Sequence, residues 1–236
     1  MYGSIHSHNF KGKNLGKIVL LRHGLSLWNQ LNIFTGWVDV PLCPEGIEEA
    51  FSAGEKIKEI EFDVVFTSHL SRASMTAILA LSKSQRVCCP VVIHEEDWYK
   101  IPEIEEGGPR VIPVYAREAL NERYYGDFQG KNKDQVKQEL GEEKFCAYRR
   151  SYATRPPGGE SLQDTIKRMI PCFNDEIMPM LIEGKNILIS AHGNSIRGIL
   201  KQIDDISDEE IVSLEVPTGL PITYEYEEGM WQKLEV

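Results

Sequence analysis

No apolar run in the sequence approaches the roughly 20 residues that a membrane-spanning helix needs, and no basic–apolar–small leader stands at its start. A chain that neither crosses a membrane nor is exported is expected. Its five cysteines, Cys43, Cys88, Cys89, Cys146 and Cys172, contain no C-x-x-C pair. That spacing excludes the common zinc-ribbon and dithiol redox motifs and fits reduced thiols in the cytoplasm. An H-x-x-x-H pair or a mixed Cys/His cluster is also missing, so no metal is expected. Positive charge is scarce: 26 Lys and Arg stand against 36 Asp and Glu, a net charge of −10. Such a balance argues against nucleic acid as a partner, and any bound anion must be held by a few cations acting locally. No linker divides the chain. With 236 residues, 42% hydrophobic and 26% charged, it is long enough for one α/β domain, expected over residues 16–236 behind a polar, Gly/Asn-rich extension over 1–15.

What is present centres on residues 22–29, Arg-His-Gly-Leu-Ser-Leu-Trp-Asn. The run Ile18–Leu21 before it reads as a fully buried strand. A strand ending in Arg-His-Gly sets a cation, an imidazole and a residue without a Cβ at one sheet edge. Ligands of open α/β sheets bind at the carboxyl ends of the strands. Gly24 would let the backbone come close to a ligand, and the start of a helix just beyond favours an anion. These residues point to His23 held against a phosphate, with Arg22 as counter-charge. A lone RHG triplet is more often an ordinary surface or core histidine than a catalytic one. A second unit weighs against that bland reading: the apolar strand over 186–190 runs into Ala191-His192-Gly193-Asn194-Ser195 and a helix. The two strand–His–Gly–helix units look like two halves of one site.

The rest of the chain supplies the layers. Pro44 suits the first turn of a helix, in which Ile47, Ala50, Phe51, Gly54 and Ile57 follow a helical period. Asp63–Phe66 reads as a strand, Thr67-Ser68 lead into a helix carrying Arg72 in its first turn, and Val91–Ile93 reads as another strand. The order β-α-β-α-β predicts a three-layer α/β sandwich with a mostly parallel central sheet and helices on both faces. Glu95–Arg117, with three prolines, Gly107-Gly108 and many acids, reads as an irregular excursion. Ser161 and Asp164 form a capping pair for a helix whose apolar stripe is Leu162, Ile166, Met169, Ile170, Phe173 and Ile177, and Pro171 is expected to kink it.

Seven motifs in order, RHGLSLWN (22–29), FTGWVDVPL (34–42), TSHLSRA (67–73), LNERYYGDFQGKNK (120–133), YRRSY (148–152), PPGGESL (156–162) and SAHGNSIRGIL (190–200), resemble cofactor-dependent phosphoglycerate mutase, a family of the histidine phosphatase superfamily. The resemblance implies interconversion of 3-phosphoglycerate and 2-phosphoglycerate through a phosphohistidine primed by 2,3-bisphosphoglycerate. It implies His23 as nucleophile, Arg22, Arg72 and His192 around the phosphoryl group, and Glu122 as the acid/base, with a pKa near working pH. Arg149 and Arg150 would clamp the substrate, helped by Lys133 and the Tyr125 hydroxyl. Ser26, Asn29, Thr35, Gly36, Arg123, Tyr124, Gly193 and Asn194 match the remaining contacts. A homodimer or homotetramer is implied as well. Ser26 favours the mutase over bisphosphoglycerate-synthesising relatives; a broader phosphatase and a non-catalytic binding protein are the alternatives. The sequence departs from the pattern at Leu25, where Glu or Gln is usual, at Tyr124, where His is more frequent, and at its end, where a Lys/Gly-rich tail is expected. The long Glu95–Arg117 stretch is a candidate replacement lid.

Overall fold

The computed structural model describes residues 16–86, 88–93 and 110–235. One seven-stranded sheet gathers β1 (Gly16–Arg22), β2 (Val64–Thr67), β3 (Cys88–Ile93), β4 (Arg110–Ala116), β5 (Ile187–Ala191), β6 (Pro221–Glu227) and β7 (Met230–Leu234) in the spatial order β3-β4-β2-β5-β1-β6-β7. The strands from β3 through β1 are parallel, and β6 and β7 add an antiparallel edge. This is the α/β architecture expected.

Strands covered on both faces must be apolar at every position, which is why β1 reads as an unbroken run rather than an alternating one. Its successive side chains enter opposite cores. Ile18 and Leu20 pack with Ile187 and Ile189 of β5 against α6 (Leu162–Cys172) and α8 (Gly193–Ile203). Val19 and Leu21 pack with Leu188 against α2 (Pro44–Ile57) and α3 (Ser71–Leu81), through Ala53, Ile57, Ala77 and Ala80. The short α1 (Leu27–Gln30), α4 (Lys133–Leu140) and α5 (Glu142–Arg150) lie in the segments that wall the site. The chain also forms α7 (Met178–Ile182) and α9 (Asp208–Ile211).

Local signals act as expected at several ends. Pro44 opens α2 behind Cys43, and Ser161 and Asp164 exchange side-chain and backbone bonds in a capping box at α6. One expectation fails. Glu95–Arg117 is not wholly irregular, since Arg110–Ala116 forms β4, paired in parallel with both β2 and β3. Pro113 stands opposite Val91 in the ladder to β3 but ahead of the ladder to β2, which begins at Val114; a missing N–H on the β2 side costs no ladder bond. Residues 95–109 of that stretch, the greater part of the candidate lid, lie outside the described residues, as does the extension over 1–15. At Pro171 the helix continues to Cys172 and then widens into a π turn, Phe173–Ile177, before α7.

Candidate active site

The site forms at the carboxyl ends of β1, β2 and β5. The β1–β5 register pairs Arg22 with Ala191, and the His23 N–H continues the ladder to the Ala191 carbonyl at 3.0 Å. The residues just past that pair are the two histidines, whose rings stand 5.0 Å apart, centre to centre. Gly24 serves a different end from the one expected: an added Cβ would meet the Gly46 carbonyl oxygen at 2.1 Å. The missing side chain therefore lets the loop after β1 cross the first turn of α2. The Leu25 N–H there donates to Glu49 Oε2 at 2.8 Å, so a carboxylate from α2 satisfies this backbone donor.

Both histidines are buried and neutral. Burial pushes the His23 pKa well below its ordinary value, and the Arg72 and Arg22 charges push it further. Its Nδ1 lies 2.7 Å from the Gly24 carbonyl. A carbonyl can only accept, so Nδ1 carries the proton and Nε2 keeps a free lone pair. At His192, burial again comes first, followed by Arg72, His23, Arg22 and Arg168. The Ser68 hydroxyl accepts from the Leu70 N–H at 3.1 Å and lies 2.8 Å from His192 Nε2. Donation from Ser68 to Nε2 leaves the proton on Nδ1, which is buried with no partner among the described residues.

Cations close the ring. Arg72 is 1% exposed and donates to the Val38 carbonyl at 3.0 Å and the Gly36 carbonyl at 2.8 Å. Burial lowers its pKa to about 10, which leaves it charged at neutral pH. Arg22 donates to the Val216 carbonyl at 2.6 Å. The Nε groups of Arg22 and Arg72 and the Thr35 hydroxyl are likewise buried and unpartnered. Unmade bonds on buried donors are costly, and several around one cavity suit an anion with several acceptor oxygens.

Glu122 accepts from the Arg123 N–H at 2.8 Å, the Asn194 N–H at 3.2 Å and Asn194 Nδ2 at 2.7 Å. Burial is the largest influence and raises its pKa. The bonds from Arg123 and Asn194, with Arg22 and Arg72, together outweigh it and hold the carboxyl below its ordinary value. The expectation of a pKa near working pH is thus not met in the protein alone. An incoming phosphate dianion would oppose those arginines and raise it.

One pocket is lined by Arg22, His23, Asn29, Thr35, Gly36, Arg72, Glu122, Tyr125, Lys133, Arg149, Arg150, Gly193 and Asn194, all expected, and also by Ile33, Phe34, Arg197 and Glu215. Four expected residues stand behind that lining. His192 is fully buried beside His23. Ser26 is buried as well, caps α1 and donates to Asn29 Oδ1 at 2.9 Å. Arg123 lies over the Tyr125 ring and donates to the Arg149 carbonyl at 3.0 Å. Tyr124 sits further out, edge-on to Trp37. Arg197 could have been found, since it sits in the motif of His192 and reaches Asn194 Oδ1 at 3.2 Å. Glu215, which pairs with Arg150 at 2.7 Å, carries no local signal. Among the described residues no group of three or more His, Cys, Asp or Glu side chains could hold a metal ion, and no helix is long and apolar enough to cross a membrane.

The sequence model of the histidine phosphatase superfamily (branch 1) matches residues 18–97 and 103–236. The chain belongs to the histidine phosphatase superfamily. Within it, the chain is 49% identical over 218 residues to the 2,3-bisphosphoglycerate-dependent phosphoglycerate mutase of Chlamydia muridarum (strain MoPn / Nigg), covering 92% of this chain and 96% of that protein. The protein of the same name from Chlamydia trachomatis serovar L2b is 50% identical over 211 residues, covering 89% and 93%. Among solved structures, Bacillus stearothermophilus YhfR superposes with a TM-score of 0.73 at 23% identity, covering 92% and 95%. Phosphoglycerate mutase from Bacillus anthracis str. Sterne does so with 0.69 at 21% identity, covering 95% and 93%. These two likenesses show a shared fold.

Proposed function

We propose that the protein interconverts 3-phosphoglycerate and 2-phosphoglycerate through a phosphohistidine on His23, with 2,3-bisphosphoglycerate as primer. The observation that carries this reading is the single pocket in which a neutral His23 faces Arg22, Arg72 and Glu122 while Lys133, Arg149 and Arg150 form a second cationic wall. A simple phosphatase needs only the first group, and a substrate that carries both a phosphate and a carboxylate uses both.

The chemistry follows from the side chains. The lone pair on His23 Nε2 forms a bond to phosphorus as the bond from phosphorus to the glycerate oxygen breaks. Glu122, once protonated, passes its proton to that oxygen, and as carboxylate it takes one back from the hydroxyl that next attacks. Arg22, Arg72 and the His192 Nδ1–H would hold the phosphoryl oxygens, and preorganised donors of this kind are each worth about 3–4 kcal/mol to the transition state. The unpartnered donors around the cavity fit the primer, which supplies the phosphoryl group that charges His23; Arg149, Arg150 and Lys133 would hold its far end. Cytoplasmic location, a single domain over 16–236 and a homodimer or homotetramer accompany this reading.

The test is labelled 2,3-bisphosphoglycerate. Acid-labile, alkali-stable label is expected on the enzyme and absent from H23A, together with primer-dependent mutase turnover. Label on His192, or release of phosphate without mutase turnover, would overturn it.

A further inference from the structure

Arg168 on α6 takes no part in the chemistry above, yet among the described residues its side chain is tied to the Glu122 loop by several hydrogen bonds. We propose that Arg168 is a positioning residue that sets the Glu122 carboxylate at the leaving oxygen; the inference rests on the acid/base role of Glu122. One guanidinium reaches along the backbone that leads into the loop. It donates to the carbonyls of Glu118 and Ala119, both at 2.9 Å, and to those of Asn121 at 3.3 Å and Glu122 at 3.2 Å. Its Nε and Nη2 also donate to the two oxygens of Glu160 at 3.0 Å. Glu160 in turn accepts the Tyr124 N–H at 3.0 Å, so the loop is held on both sides of Glu122.

A third group joins the set. The Arg168 guanidinium stacks over Trp37 at 5.3 Å, and Trp37 Nε1 donates to the same Glu122 carbonyl at 2.5 Å. The Glu118 carbonyl also accepts the Asn121 N–H at 2.8 Å, and the end of so short a turn leaves carbonyls without helical partners. A planar fork of five donors can serve several of them together, whereas an ammonium is a point donor. The Arg168 side chain is 17% exposed and does not line the pocket. Its influence on the reaction therefore runs through the position of Glu122 and not through contact with substrate.

Proton donation is needed only when the leaving oxygen is a poor one. A glycerate alkoxide must be protonated as it departs, while a nitrophenolate leaves without help. R168K and R168Q, checked for native near-ultraviolet dichroism, are therefore compared with wild type on phosphoglycerate turnover and on the first-turnover burst of nitrophenolate from p-nitrophenyl phosphate. That burst is released as His23 is phosphorylated and before water must attack the phosphohistidine. Misplacing a catalytic group by about 1 Å can cost a hundredfold. A loss of roughly that size is expected in mutase kcat, with KM and nitrophenolate release changed less than about threefold. The acid limb of the kcat/KM profile should also move upward, because a displaced carboxylate loses the Asn194 bonds that depress its pKa. Equal losses on both esters, or no loss on either, would overturn the proposal, as would an unmoved limb. E122Q keeps the two readings apart. A split between esters in E122Q but not in R168K removes the role of Arg168 alone, and no split in E122Q removes the acid role of Glu122 itself.

Discussion

His23 and His192 stay neutral in the folded protein, and that ties stability to pH with a definite sign. The unfolded chain binds protons on both rings below the ordinary histidine value of 6.5, while the folded chain does not. Stability is therefore complete above that value and falls as pH drops below it, by up to about 1.4 kcal/mol per pH unit for each ring. Urea midpoints measured from pH 7.5 to 5 should fall, and H192Q should reduce the slope; a flat profile would mean that the rings are protonated in the fold. Glu122, held low, adds its own loss only in more acidic solution. In the pocket lining, Glu215 occupies Arg150, which the proposed substrate clamp also uses. Exposed pairs are worth about 0.2–1 kcal/mol, so E215Q should lower the KM for phosphoglycerate by a factor of about 5 at most. A raised KM would show that Glu215 orders Arg150 instead of competing for it.

Elements differ in how plainly the chain announces them. Pro44, the Ser161–Asp164 pair and the unbroken Ile18–Leu21 run carry backbone physics in their own residue types, and each places an end or a strand correctly. β4 is hidden because Pro113 and the acids upstream resemble loop composition, and only its position beside β2 and β3 rescues it. The site divides in the same way. Most residues that touch the pocket stand in short motifs, Glu215 being an exception; Ser68 and Glu160 lie inside motifs too but act through other residues, and Arg168 stands in none. Pro171 is exposed within α6, ahead of the π turn. Proline is about 3 kcal/mol worse than alanine inside a helix, and part of that returns through a stiffer unfolded chain. P171A should raise the urea midpoint, by on the order of 1 kcal/mol or more in stability. A lower midpoint would mean that the π turn needs the proline.

Across the whole molecule, a net charge of −10 surrounds a pocket lined by six Arg and Lys side chains, Arg22, Arg72, Lys133, Arg149, Arg150 and Arg197, against Glu122 and Glu215. Catalysis by such a set has no step assigned to a metal, and turnover is expected to survive EDTA; activity lost to EDTA and restored by added Mn²⁺ would contradict the mechanism. The sheet order has an outcome of a different kind. β1 is the first strand of the sheet to be made, yet its two neighbours are β5 and β6, and β5 begins only at Ile187. At about 5–20 residues per second on the ribosome, those partners are roughly ten to thirty seconds away. The nascent Ile18–Leu21 segment must wait that long without a strand to pair with, a natural client for a chaperone that grips short apolar stretches. Ribosome-bound chains stalled before Ile187 should be cut by protease near residues 16–22, and chains stalled well beyond Glu227 should not.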